Sequence, residues 1–396
     1  MFDEHGVNRR DFIGGVAGAA GLLTVRSPAE ALAQITGGAR VAPQQTTVDE
    51  YDSYAKLAAN ENPYGPSESV MQAMTHAFKY ANRYGYPDGG IVPEIAKHHD
   101  VKPENVFLAA GSGEVLDVVG SAFATGKKVV GVEPSYSQVY SHVTGLKGAA
   151  ITLPLTSDYR QDMQAIIHAA KTHYRDVGFV YLCNPNNPTG VVVTKQEVRQ
   201  LLDGLPEDMP VLIDEAYNHF VEDPNYATSV PYVLEGRPVI VTRTFSKIAA
   251  LAGMRLGYAI ASKELIQQMR PYSTGTINAI VKWGGVAALR DTAGQAQVRK
   301  TTLDLRKKTT MELNTLGYAT IPSETNFFMV HIKRPVVPVI DAFRKKGVLV
   351  GRPFPPMTEH LRVSIGTADE MSRFMVAFKD IMGSPVKGAT GGAPGI

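Results

Sequence analysis

Cysteine occurs once in these 396 residues, tryptophan once, and basic side chains outnumber acidic ones by only two. A single thiol, Cys183, excludes an internal disulfide framework and any metal cluster built on cysteine. It lies in the strand-like run GFVYLCNP with no electropositive neighbour in sequence, which makes it a buried, inert thiol rather than a nucleophile. The near balance of 40 Lys and Arg against 38 Asp and Glu leaves no global basic field to hold nucleic acid, and no block of like charge marks a binding tail. Asp214, Glu215 and His219 are close in sequence, but their spacing matches no zinc motif, so no metal is expected.

What is present is ample apolar material, 44% of residues, enough for two lobes or one large lobe with a satellite. The first residues stand apart. VNRRDFIGGVAGAAGLLTV places Arg9 and Arg10 before Phe12 and a weakly apolar Gly/Ala run, and ALAQ follows with Ala31 and Ala33 in A-x-A spacing. Residues 1–33 therefore have the form of a twin-arginine export signal, which implies the twin-arginine machinery as a partner and the periplasm as destination. The apolar run is too short and Gly-rich for a stable membrane anchor. An ordinary first helix or basic arm in a cytoplasmic protein is the alternative. Residues 34–50 read as a linker.

From Tyr51 onward strands and helices alternate: KKVVGVEP, SQVYSHVTGL, AAITLPL, DMQAIIHAAKTH, VGFVYLCN, KQEVRQLLDGL, MPVLIDEAY. This order predicts an α/β fold with a mostly parallel sheet covered by helices on both faces. Beyond Asp291 a long helical pattern to Leu316 leads into shorter alternating elements, the mark of a smaller α+β lobe. The expected division is an arm and part of the small domain over 51–75, a large domain over 76–290, a small domain over 291–383 and a disordered tail over 384–396.

Ligands of open parallel sheets bind beyond the carboxyl ends of the strands, so the polar residues following each strand are the candidate site residues. AAGSGEVLDVV offers backbone amides at Gly111, Ser112 and Gly113 to a phosphate at a helix N-terminus, and Leu116 stands where a dinucleotide fingerprint needs glycine. Tyr136 ends a strand, where its ring could stack on a flat cofactor or cap the core. Asn184 and Asn187 sit in a Pro-rich turn, which turn chemistry alone could also explain. Asp214 follows three buried strand residues and needs a cation or hydrogen-bond donors, or else acts as a helix cap. Thr244, Ser246, Lys247 and Arg255 cluster at one strand end, where hydroxyls and a guanidinium suit a phosphate dianion beside an amine, although Lys247 taken alone reads as a solvated loop lysine. Together these are the parts pyridoxal 5'-phosphate (PLP) requires.

With LAANENPYGPS, RYGYPDGG, AAGSGEVLDVV, EPSYSQVY, CNPNNPTG, LIDEAY, TRTFSKIAALAGMRLGY, ETNFFMV and LRVSIGT in this order, the chain from Tyr51 to Met382 resembles the fold-type I, aspartate-aminotransferase-like PLP enzymes, in their histidinol-phosphate aminotransferase branch. The resemblance implies a seven-stranded, mostly parallel sheet in a large domain, a smaller α+β domain and a homodimer. It implies ping-pong transfer of an amino group from a small-molecule donor to a 2-oxo acid through a Schiff base on Lys247. Asp214 would pair with the cofactor's ring nitrogen, Tyr217 and Asn187 with its ring oxygen, and Tyr136 would stack on the ring. Ser112, Gly113, Glu114, Thr244, Ser246 and Arg255 would surround the phosphate, with Tyr86 reaching that of the neighbouring subunit. Arg362 would clamp the substrate carboxylate, with Asn62, Tyr64 and Arg352 nearby. One departure concerns VLVGRPFPP, where Gly351 separates the strand from Arg352 and prolines follow, so an altered side-chain pocket is expected. Export argues against a cytoplasmic biosynthetic substrate, and the expected donor is another amino acid, aromatic or basic. A decarboxylase or β-lyase of the same fold is the alternative, and a non-catalytic PLP-fold binding protein the more distant one.

Overall fold

The computed structural model describes residues 48–383, so the proposed export signal, nearly all of the linker and the C-terminal tail lie outside the described residues. The chain divides into two compact units, 1–52 and 53–396; of the first, only residues 48–52 are described, in the helix Val48–Ser53.

Within the second unit a seven-stranded sheet runs in the order β2 (Val106–Ala109), β8 (Gly257–Ile260), β7 (Val239–Thr244), β6 (Val211–Asp214), β5 (Val177–Cys183), β3 (Lys128–Glu133) and β4 (Ala149–Pro154). Strands β3 to β7 pair in parallel, while β8 is antiparallel to both β7 and β2. Every residue of β5, β6 and β7 is buried, as expected of strands covered on both faces. Alternation within β5 shows why: Phe179, Tyr181 and Cys183 face the core under α1 (Ser112–Ala124) and α2 (Gln138–Gly145), while Val180 and Leu182 face the core under α3 (Met163–Thr172) and α4 (Lys195–Gly204). Helix α4 begins in a capping box, the Thr194 side chain accepting from Glu197 N while Glu197 accepts from Thr194 N.

A smaller lobe is built from β9 (Phe327–His331) antiparallel to β11 (His360–Ser364), and from β1 (Ala55–Leu57) parallel to β10 (Val348–Val350). Phe343, Phe374 and Phe378, all fully buried, centre its core. The β1 pairing carries the segment around Ala59 and Asn60 from the small lobe to the ends of the large sheet. A 24-residue helix, Thr292–Thr315, leads into this lobe from the large one.

Candidate active site

The carboxyl ends of β5, β6 and β7, the segment after β1 and the strand β11 converge on a cavity of about 190 Å³. Its wall includes Asn60, Tyr136, Asn187, Tyr217, Lys247, Arg352, Phe354 and Arg362. Lys247 is half-buried, its open side being the cavity itself. Its Nζ donates to Ala59 O at 3.3 Å and stands 5.5 Å from the centre of the Tyr217 ring. Burial first, then the Arg362 guanidinium, bring its ammonium down to about 8, where an amine is available as nucleophile and base near neutral pH.

Asp214 closes β6 and is 3% exposed. It accepts from Ala216 N at 3.1 Å and Tyr181 OH at 3.4 Å, and among the described residues no cation lies within ion-pair distance of it. Burial raises its carboxyl to about 6. The Tyr217 hydroxyl receives N–H from Asn60 at 3.0 Å and from Asn187 at 3.4 Å, which leaves its own proton to donate. Arg362 donates to Asn187 Oδ1 at 2.7 Å and to Ala58 O at 2.6 Å, while its buried Nε has no partner. No carboxylate faces Arg362 among the described residues, and burial lowers its guanidinium to about 10.

A second group lies at the N-terminus of α1. Thr244 Oγ1 donates to Ser246 Oγ at 2.8 Å, and Arg255 Nη1 donates to the same Ser246 oxygen at 3.4 Å. Gly111 (φ 90°) precedes Ser112, and a Cβ there would run into the Arg255 guanidinium. Glycine thus lets the Arg255 fork lie against the helix end, so that amides, hydroxyls and guanidinium face one small volume, as a phosphate dianion requires.

Other residues singled out in sequence stand elsewhere. Glu114 turns from this cradle, accepting from Ala110 N at 2.6 Å, Ser273 Oγ at 2.9 Å and Thr274 Oγ1 at 3.1 Å. Tyr86 donates to Ile277 O at 2.8 Å in its own chain. Asn62 donates to Ile248 O, and Tyr64 is 45% exposed; neither lines the cavity. Arg352 does, its guanidinium 4.3 Å from the centre of the Phe354 ring, on which Arg362 also rests at 4.6 Å. A Cβ on Gly351 would stand 2.8 Å from Arg362 O and 3.2 Å from Arg362 Nε, so the glycine that displaces Arg352 along the sequence also makes room for Arg362. Sequence reading missed Asn60, held in left-handed backbone (φ 54°) between Ser364 and Tyr217, and Gln138; both lie inside the motifs LAANENPYGPS and EPSYSQVY, where Asn62, Tyr64 and Tyr136 were singled out instead.

The donor set fits PLP. A buried carboxylate without a cation suits a protonated ring nitrogen, a free-proton phenol suits a ring oxygen, a low-pKa amine suits the aldehyde, and the cradle suits the phosphate. The sequence pattern of aminotransferase class I and II matches residues 52–378, and the chain belongs to this family. It is 34% identical over 335 residues to histidinol-phosphate aminotransferase of Moorella thermoacetica, covering 83% of this chain and 85% of the relative. Among solved structures, a putative histidinol-phosphate aminotransferase from Erwinia carotovora atroseptica shares 30% identity and a TM-score of 0.79 over 84% of this chain and 95% of that one. The Sinorhizobium meliloti histidinol-phosphate aminotransferase, solved with PLP, shares 25% identity and a TM-score of 0.78 over 92% and 96%. The protein is a PLP-dependent aminotransferase with the aspartate-aminotransferase-like fold. An L-threonine-O-3-phosphate decarboxylase from Porphyromonas gingivalis is similar at 19% identity and a TM-score of 0.69, a likeness of fold alone.

Proposed function

We propose that the chain is an exported, homodimeric aminotransferase that takes the amino group of an aromatic amino acid or similar amine and passes it to a 2-oxo acid. The observation that carries the reading is Lys247, an amine brought down to about 8, sharing one cavity with an arginine whose buried Nε lacks a partner. When bound, the cofactor supplies a carbonyl for the amine and a ring that accepts electrons from the substrate Cα. Asp214 would keep a proton on the ring nitrogen. Lys247 Nζ would take the Cα proton as general base and, as general acid, give it to the carbon that was the cofactor's carbonyl. Arg362 orients the substrate carboxylate through its planar fork. Ser246, Thr244, Arg255 and the amides at Ser112 hold the phosphate.

Of the expected donors, an aromatic one suits the Phe354 and Tyr136 rings, whereas Arg352 opposes a basic side chain. Histidinol phosphate is the second reading, favoured by Arg352 as a partner for a phosphate. A homodimer is supported by an apolar groove of about 520 Å³ lined by Ala73, His76, Trp283 and Val286, and by the exposed rings of Phe78 and Tyr84. Export is supported by Arg9, Arg10 and the A-x-A spacing.

The test is to purify the chain from Gln34 onward and add single amines, following the visible band of the lysine-bound cofactor. An aromatic amino acid is expected to discharge the band and a 2-oxo acid to restore it. Discharge by histidinol phosphate alone would select the second reading, and a band that survives every amine would refute both. A reporter fused to residues 1–33 should reach the periplasm and stay behind when Arg9 and Arg10 are both replaced by lysine.

A further inference from the structure

Gln138 opens α2, and its carboxamide ties Tyr136 to the start of α1. The Tyr136 hydroxyl donates to Gln138 Oε1 at 3.1 Å. Gln138 Nε2 donates to Gly113 O and to Asp117 Oδ1, each at 3.0 Å. A Cβ on Gly113 would lie 3.1 Å from both carboxamide atoms, so glycine at that position admits the Gln138 head group. Asp117 is braced in turn: His142 Nδ1 lies 3.5 Å from its Oδ1, and His142 Nε2 meets Ser121 Oγ at 2.8 Å. Ser121, His142 and Asp117 have the order of a hydrolytic triad, but Ser121 Oγ donates to Asp117 O within its own helix, and Gln138 already occupies Asp117 Oδ1. The cluster is a brace.

Tyr136 is 37% exposed and stands on the loop between β3 and α2, where an unanchored ring would swing about two torsions. We propose that Gln138 is a positioning residue that holds the Tyr136 ring at the angle at which it covers the cofactor, with Gly113 O and Asp117 as anchors. This rests on the reading of Tyr136 as the stacking residue. The loop is thereby locked to the helix whose N-terminus meets the phosphate, so ring and phosphate sites keep a fixed separation.

A double-mutant cycle tests it. Gln138→Met keeps side-chain length and removes the polar atoms; Tyr136→Phe keeps the ring and removes the hydroxyl. The readouts are the PLP dissociation constant, from the visible band of the reconstituted protein, and the thermal midpoint of the cofactor-free protein. Each single change is expected to weaken PLP binding about two- to tenfold, and the double variant no further than the weaker single one. The thermal midpoint should scarcely move. Additive losses, or an unchanged dissociation constant in Gln138→Met, would overturn the proposal. Tyr136→Ala separates the two claims: if it weakens binding while Gln138→Met does not, stacking stands and the positioning role falls. If Tyr136→Ala leaves binding intact, the stacking reading falls and takes the positioning role with it.

Discussion

Replacing Asp214 by asparagine should make the cofactor-free protein more stable while ruining it as a cofactor site. The folded chain holds the Asp214 proton more tightly than the unfolded chain, about 6 against an ordinary 3.8, because burial penalises the carboxylate. A raised carboxyl pKa contributes stability that is fully present below pH 3.8 and is lost as pH rises to about 6. At about 1.4 kcal/mol per pH unit, that interval amounts to roughly 3 kcal/mol forfeited above pH 6. Asparagine has nearly the same shape, carries no charge and can still accept from Ala216 N, although the contact with the Tyr181 hydroxyl is compromised. A net gain of about 1–3 kcal/mol for cofactor-free Asp214→Asn is therefore expected at pH 8, shrinking towards zero near pH 4. Urea unfolding at both pH values, with and without PLP, measures it. With PLP the order should invert, because the wild-type carboxylate gains its cationic partner and the amide cannot replace it. A variant equally destabilised at both pH values without cofactor would refute the reasoning, since desolvation of charge would then not be what Asp214 bears.

Cofactor loading should accelerate with pH up to about 8 and then level, because Lys247 reacts only without its proton and burial brings it to about 8; stopped-flow traces that are flat from pH 6 to 9 would contradict this. Arg362→Lys should raise KM for carboxylate donors about tenfold or more with a smaller change in kcat, as a point charge replaces a planar fork held by Asn187 and Ala58; steady-state kinetics decide it. Glu215 accepts from Arg243 Nε at 2.9 Å and Nη2 at 2.6 Å in a fully buried pair behind the site. Glu215→Ala should cost about 3–5 kcal/mol in chemical unfolding by leaving Arg243 buried and alone.

The large sheet was legible because its strands are short runs of buried aliphatic residues. Position beyond a run made Asn184, Asn187, Asp214 and Lys247 candidates alike, and only the family resemblance separated the last three from Asn184, which is tied to the Val193 backbone. The antiparallel insertion of β8 between β7 and β2 was not legible, since GYAI carries no sign of direction. In the second half of the site Arg362 and Arg352 came only through the family resemblance, and Asn60 was not singled out. Asn60 meets Ser364 across 304 residues and Arg362 meets Asn187 across 175, and pairings that distant leave no periodicity in the chain. Glu114 fell where the phosphate motif put it, but its carboxylate serves the Ser273–Thr274 loop, a partner invisible from the local sequence.

The Asn60–Ser364 contact also sets a timetable. Lys247 and Asp214 leave the ribosome long before Arg362 and Ser364, which come within the last tenth of the chain. At about 5–20 residues per second, roughly 5–25 seconds of synthesis separate the cofactor amine from the arginine that completes its pocket. The nascent large lobe can form its strand ends during that interval, but Asn60 has no Ser364 to hold it, and the segment at Ala59 lacks β10 to pair with β1. Completion of the substrate pocket is thus timed by the arrival of the final strand, after every residue assigned to the cofactor has emerged.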